Sequence, residues 1–272
     1  ALLLLATIVS PSEAVELSHQ ALTLAESIND KWRTAYALFI SSWGRYERFS
    51  YIEKALTLFQ VVGDLRYMGE CLAELGRLRM LNNDIESAEN LLSKAMVLFR
   101  ELDIKSEKSG LLQGYGRIAA IKGDYEQAYT YLKEDAASAE EYGYRINYLF
   151  ARAHLGYLAL NRGNITEAHE IFTETLQSFF VDKNEIGVAF TLEGMAGLFT
   201  VVGKLKIAAQ LIGWSDAFRE RVGDPRPPLE QADVDKIITT CIIKLGETAF
   251  SDAYEEGQKM TLDEAVICAL EN

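Results

Sequence analysis

Three arginines, three aromatic residues, one amide and one acid are the side chains whose types and spacing suit recognition chemistry. Arg33, Arg77 and Arg117 carry guanidinium forks, which match carboxylates and phosphates because they donate parallel hydrogen bonds. Phe150, Tyr157 and Phe190 offer aromatic faces for sugars or apolar peptide side chains, and Gln113 and Glu193 complete the set. A cationic strip and an aromatic strip on the two halves of one groove would receive a ligand of both characters. The competing reading pairs Arg77 and Arg117 with Glu70, Glu74 or neighbouring acids as ordinary surface bridges.

Bond-making chemistry finds little support. No Gly-x-x-x-x-Gly-Lys-Ser/Thr phosphate loop occurs, and the near-match Gly114-Tyr115-Gly116-Arg117-Ile118-Ala119 has no strand before it, so packing accounts for its glycines. His19, His154 and His169 lack metal-binding spacing, and no Cys-x-x-Cys pair is present. Cys71, Cys241 and Cys268 read as buried free thiols of a reducing compartment, and Glu140-Glu141 and Glu255-Glu256 as solvated helix faces. The expectation is a non-enzyme with no cofactor and no metal. A net charge of −13 and a pI near 4.8 set the chain against nucleic-acid phosphates.

The elements that hold these residues follow from a period of forty. One small column reads Gly76, Gly116, Gly156, Ala196, and a second reads Ala88, Ala128, Ala168, Ala208. Two apolar columns keep step: Leu38, Leu78, Ile118, Leu158, Leu198, and Ile52, Leu92, Leu132, Phe172, Ile212. Two turn columns read Asn83, Gly123, Gly163, Gly203 and Gly63, Asp103, Gly143, Lys183, Gly223. A fixed period means stacked units. Within a unit a small residue precedes an alanine by twelve positions with a turn between them, the pattern of a helical hairpin whose helices approach closely at the small side chain. No proline lies between Ser12 and Asp224, and no segment alternates with period two, so the fold expected is all-α, a right-handed α-solenoid.

At this point the residues resemble the tetratricopeptide repeat: Leu75-Gly76, Ala88, Leu92, Ala95; Leu155-Gly156, Ala168, Phe172; and Met195-Ala196, Ala208, Ile212. The usual unit has about thirty-four residues, so these hairpins are about six positions longer. A partial repeat at 1–30 is followed by units at 31–63, 64–103, 104–143, 144–183 and 184–223. In such a superhelix the first helix of each hairpin faces the concave groove. Arg77, Arg117 and Tyr157 follow the small column by one, Arg33, Gln113 and Glu193 precede it by three, and Phe150 and Phe190 precede it by six.

The two ends differ. The apolar start Ala1–Val9 is too short to span a bilayer and lacks the charged lead of a secretory signal, so it reads as part of a hairpin cut by the chain boundary. Ser10, Pro11 and Glu13 then form a helix start. After Gly223 the period stops at Asp224-Pro225-Arg226-Pro227-Pro228, and three short helices are expected at 229–244, 247–257 and 262–270, the last capped by Thr261 with Glu264. This acidic cap at 224–272 holds eleven acidic and four basic residues. Val234, Ile237, Ile238, Cys241 and Leu245 should close over the final hairpin, each contributing roughly 1.5–3 kcal/mol if fully buried.

The runs Ala208 to Gly223, Leu245 to Gly257 and Met260 to Val266 resemble the carboxy-terminal region of large bacterial signalling ATPases, and the long repeats are similar to those of LuxR-type ATP-dependent transcriptional regulators, the maltotriose-responsive activator among them. The resemblance implies a cytoplasmic sensor arm that binds an effector, a protein or a peptide in its groove and contacts other domains of its own full-length protein. It implies no nucleic-acid contact by this part and no membrane. A peptide-pheromone receptor superhelix, favoured if Asn147 and Asn161 face the groove, and a passive interaction scaffold are the alternatives.

Overall fold

A computed structural model describes residues 11–42, 48–104 and 108–272. The apolar start at Ala1–Val9 and the Ser10 cap with its Glu13 partner fall outside the residues and side chains described. Fourteen helices and no strand occur among the described residues. They are α1 Pro11–Ser27, α2 Lys31–Ser41, α3 Arg48–Val62, α4 Leu65–Leu81, α5 Ile85–Glu101, α6 Lys108–Ile121 and α7 Tyr125–Glu141. There follow α8 Arg145–Asn161, α9 Ile165–Val181, α10 Glu185–Val201, α11 Leu205–Val222, α12 Pro228–Leu245, α13 Glu247–Lys259 and α14 Leu262–Leu270.

The forty-residue period is two equal steps. A seventeen-residue helix plus a three-residue turn advances the chain by twenty, as α4 and α5 do. Each turn carries one left-handed residue, so Gly63, Asn83, Asp103, Gly123, Gly143, Gly163, Lys183, Gly203 and Gly223 all have positive φ, and the two turn columns are one. Lys183 adopts φ 55°, a conformation that costs an L residue about 1–2 kcal/mol and that glycine adopts freely. The next helix then starts on a side-chain cap: Asp64, Asp84, Asp124 and Asn184 accept hydrogen bonds from the backbone N–H groups of Tyr67, Ser87, Gln127 and Gly187.

Helices pack on their sequence neighbours, as in an all-α solenoid of hairpins. The small column explains the close approach. A Cβ on Gly116 would meet the Leu132 side chain and, at 3.3 Å, the carbonyl oxygen of Ala128; Gly76 stands in the same relation to Leu92 and Ala88. The chain forms two compact units, Ala1–Gly114 and Tyr115–Asn272, with the division inside α6. The first has a core of Ile52, Ala55, Phe59, Cys71, Leu75 and Leu78. In the second, Ala128, Leu132, Leu155 and Ile171 form one cluster, and Phe172, Phe179, Leu192, Phe199, Ile212, Trp214 and Phe218 form a larger one.

The three terminal helices belong to this second unit. Val234 and Cys241 of α12 are buried in the larger cluster, and Ile237, Ile238 and Leu245 are packed against it. Pro228 takes the first turn of α12, and Thr261 with Glu264 makes a full capping box at α14. α13 crosses α11 at Gly213 and Gly257, where each glycine lies against the backbone of the other helix. Cys71, Cys241 and Cys268 are free thiols, the first two buried. No described helix is long and apolar enough to cross a membrane.

Candidate functional site

A cavity of about 410 Å³ opens in the second unit. The first helices of three consecutive hairpins form its floor: Arg117 from α6, His154, Tyr157 and Asn161 from α8, and Phe190 and Glu193 from α10. The forty-residue stagger brings them together, since Tyr157 repeats Arg117 and Glu193 repeats Ala153 one hairpin on. Its other side comes from outside the repeat. Leu229, Glu230, Asp233, Val234, Lys236 and Ile237 of α12 face the cavity, so the aperiodic tail walls off the surface that the hairpins present.

Across this space Arg117 Nη2 donates to Glu230 Oε1 at 3.1 Å. The two side chains are 14% and 18% exposed, enough shielding for the pair to resist salt better than a surface bridge. His154 is 8% exposed and hydrogen-bonds to nothing among the described residues. Its ring stands edge-on to Phe190 with centroids 5.1 Å apart and lies 6.5 Å from that of Tyr157. Burial, reinforced by the Arg117 charge, pushes its pKa well below the ordinary imidazole range, so the ring is neutral at physiological pH. The Tyr157 hydroxyl donates to the Phe190 carbonyl at 2.8 Å, tying α8 to α10. Burial, then the carboxylates of Glu193 and Glu230, hold that phenol protonated.

Glu193 sits at the base of the cavity in a buried ionic cluster. Its Oε1 accepts from Ser215 Oγ at 2.5 Å and from the Nε atoms of Arg219 and Arg226, each at 2.8 Å. Arg219 also donates to Asp224, and Arg226 to Asp216, which in turn accepts from the Tyr254 hydroxyl at 2.7 Å. One acid of α10 thereby fastens α11 and the Pro-rich linker, and Asp216 extends the cluster to α13.

Neither a protein-family model nor a curated protein matches the chain.

Of the side chains singled out from spacing, Arg117, Tyr157, Phe190 and Glu193 line this one cavity. Phe150 lies behind it, half-buried, its ring 5.0 Å from Phe179 and 5.8 Å from Phe190. Gln113 is half-buried in the part of α6 that belongs to the first unit. Arg33 and Arg77, also of the first unit, form ion pairs within their own helical turn, with Asp30 and Glu74. Asn161 lines the cavity, whereas Asn147 is exposed and does not.

Two residues that matter here escaped the sequence reading. His154 was legible in principle, because it lies three residues before Tyr157 and so on the same helix face. Glu230 was not, since nothing in an aperiodic tail says which helix will receive it. Chemically the cavity offers an apolar and aromatic wall, one shielded guanidinium and one neutral imidazole, with the acids Glu193, Glu230 and Asp233, Lys236 and the Asn161 amide around them. No group of three or more His, Cys, Asp or Glu residues arranged to hold a metal ion occurs among the described residues.

Proposed function

We propose that this chain is a non-catalytic effector- or partner-binding arm, the tetratricopeptide-like sensor part of a multidomain bacterial transcriptional regulator acting in the cytoplasm. The observation that carries this reading is the cavity itself. Side chains from three successive hairpins converge on a space of about 410 Å³, within the range of small-molecule sites, and a helix from the tail forms its far wall. A ligand there touches both the repeat and α12, so occupancy changes how the tail is held. Other domains of the same full-length protein would sense that change.

Asn161 keeps the peptide-receptor reading in view, because an amide at the cavity edge can hold a peptide backbone. Only a short segment fits the volume.

Isotope-edited NMR of the chain against a library of small polar and apolar compounds and short peptides tests the proposal. Saturable shifts confined to α6, α8, α10 and α12 support it. Ligands that bind only on other surfaces, or measured turnover of any compound, would refute it.

A further inference from the structure

Two donor groups in the cavity have capacity to spare. His154 is more than nine-tenths buried and lines the cavity, and its ring nitrogens bond to no described residue yet are not sealed from solvent, so they remain open to whatever fills the space. Arg117 has five N–H donors and spends one of them, on Glu230. Around these two groups stand Tyr157, Phe190, Leu229 and Ile237, an apolar wall with no use for charge.

The remaining charges restrict what can enter. Lys236 pairs with Asp233 at 2.8 Å on a side chain 76% exposed to water, and Glu193 is held by Arg219 and Arg226, so Arg117 is the shielded cation of the cavity. A cationic ligand would meet that guanidinium, and a dianion would meet Glu230, Asp233 and Glu193 with Arg117 as the one shielded cation facing it. A monoanion whose body is apolar answers both walls.

We propose, resting on the reading of this cavity as the effector site, that it takes a small monocarboxylate with an apolar or aromatic body, held by Arg117 and His154, and that this carboxylate replaces Glu230 on Arg117. Arg117 donates a charge-assisted fork to the ligand, His154 donates its ring N–H, and Tyr157 and Phe190 cover the body. Glu230 has somewhere to go. It lies in the first turn of α12, where the helix N-terminus favours negative charge once the arginine is lost. Displacement loosens the link between the hairpins and α12, which makes the tail the element that reports occupancy. Binding also draws a fraction of a proton onto His154, since a carboxylate beside the ring favours the imidazolium. The other titratable groups facing the space are Tyr125 and Tyr157, Glu193, and Glu230, Asp233 and Lys236 on α12.

The test is calorimetric and NMR titration of the whole chain with small aliphatic and aromatic monocarboxylates, their matched primary amides and matched phosphate monoesters. Calorimetry is repeated in two buffers of different ionisation enthalpy. The expected result is preference for carboxylates, proton uptake on binding, and loss of affinity by about tenfold or more in Arg117→Gln and His154→Gln. Glu230→Gln, which removes the competitor without touching the core, tightens binding several-fold. Amides or phosphates binding as well as carboxylates would overturn the ligand class while leaving the cavity as the site. Weaker binding in Glu230→Gln would overturn the exchange at Arg117. If no member of the panel moves the cavity resonances, both this inference and the reading beneath it fail.

Discussion

Arg226 donates from Nε to Oε1 of Glu193 at 2.8 Å, although 33 residues and the turn out of the last hairpin separate them. That oxygen also receives Arg219, and the three side chains are 3–7% exposed. One carboxylate is therefore shared by two buried guanidinium groups drawn from a repeat helix and from the linker, and Asp224 and Asp216 supply each of them with a second acid.

Replacing Glu193 by Gln leaves both guanidinium groups without their shared counter-charge in a site that excludes water. Arg219 keeps Asp224 and Arg226 keeps Asp216, so the loss is partial, and Glu193→Gln should cost about 1–3 kcal/mol and lower the urea midpoint. Arg226→Gln should cost less, because Arg219 still neutralises the acid. Equal, small effects in equilibrium denaturation would show that the cluster contributes little to holding the linker.

At the crossing of α11 and α13, a Cβ on Gly213 would press into the Tyr254 carbonyl, and one on Gly257 into the Gln210 carbonyl. Backbone cannot swing aside as a side chain does. Gly257→Ala is expected to push α13 off the hairpin at a cost of about 1–3 kcal/mol, seen as faster amide exchange across α13. Exchange as slow as in the parent protein would mean that the helices slide to accommodate the methyl group.

His154 gives stability a pH signature. Its folded pKa lies below the unfolded value of 6.5, so below that pH the unfolded chain binds the extra proton and the folded chain does not. Stability should be complete above about pH 6.5 and fall as the pH drops towards the depressed folded pKa. The charged groups around the cavity are Arg117 of α6, Glu193 of α10, and Glu230, Asp233 and Lys236 of α12. Comparing denaturation of the parent and His154→Gln at pH 7.5 and 5.5 checks this: the variant should lose less on acidification. An identical loss would assign the acid sensitivity to other groups.

Lys183 sits at φ 55° in a column where most members are glycine. Lys183→Gly relieves the left-handed strain at the expense of some unfolded-state entropy, with an expected net gain of about 0.5–1 kcal/mol. Thermal unfolding of the variant measures it. A lower midpoint would show that the lysine side chain makes a contact worth more than the strain.

Much of the architecture is written in the chain one residue type at a time. Gly116 and Ala128 stand twelve apart because two helices must touch between them, and Gly123 between them makes the left-handed turn. Arg117, Tyr157, Phe190 and Glu193 occupy inner-face positions by the same count. The count does not say what a side chain is bonded to. Glu193 was legible as an acid on the groove side, whereas its two arginines come from the end of α11 and from the linker, neither predictable from the period.

By itself the sequence determined an all-helical chain of hairpins and their forty-residue step, because these follow from helical periodicity and turn stereochemistry, which act over a few residues at a time. The tertiary structure decided where the tail goes: Glu230 onto Arg117, Arg226 onto Glu193, and Gly257 against α11. Those contacts join residues far apart in the chain, and their energy depends on burial and on charges brought together only when the terminal helices pack onto the hairpins.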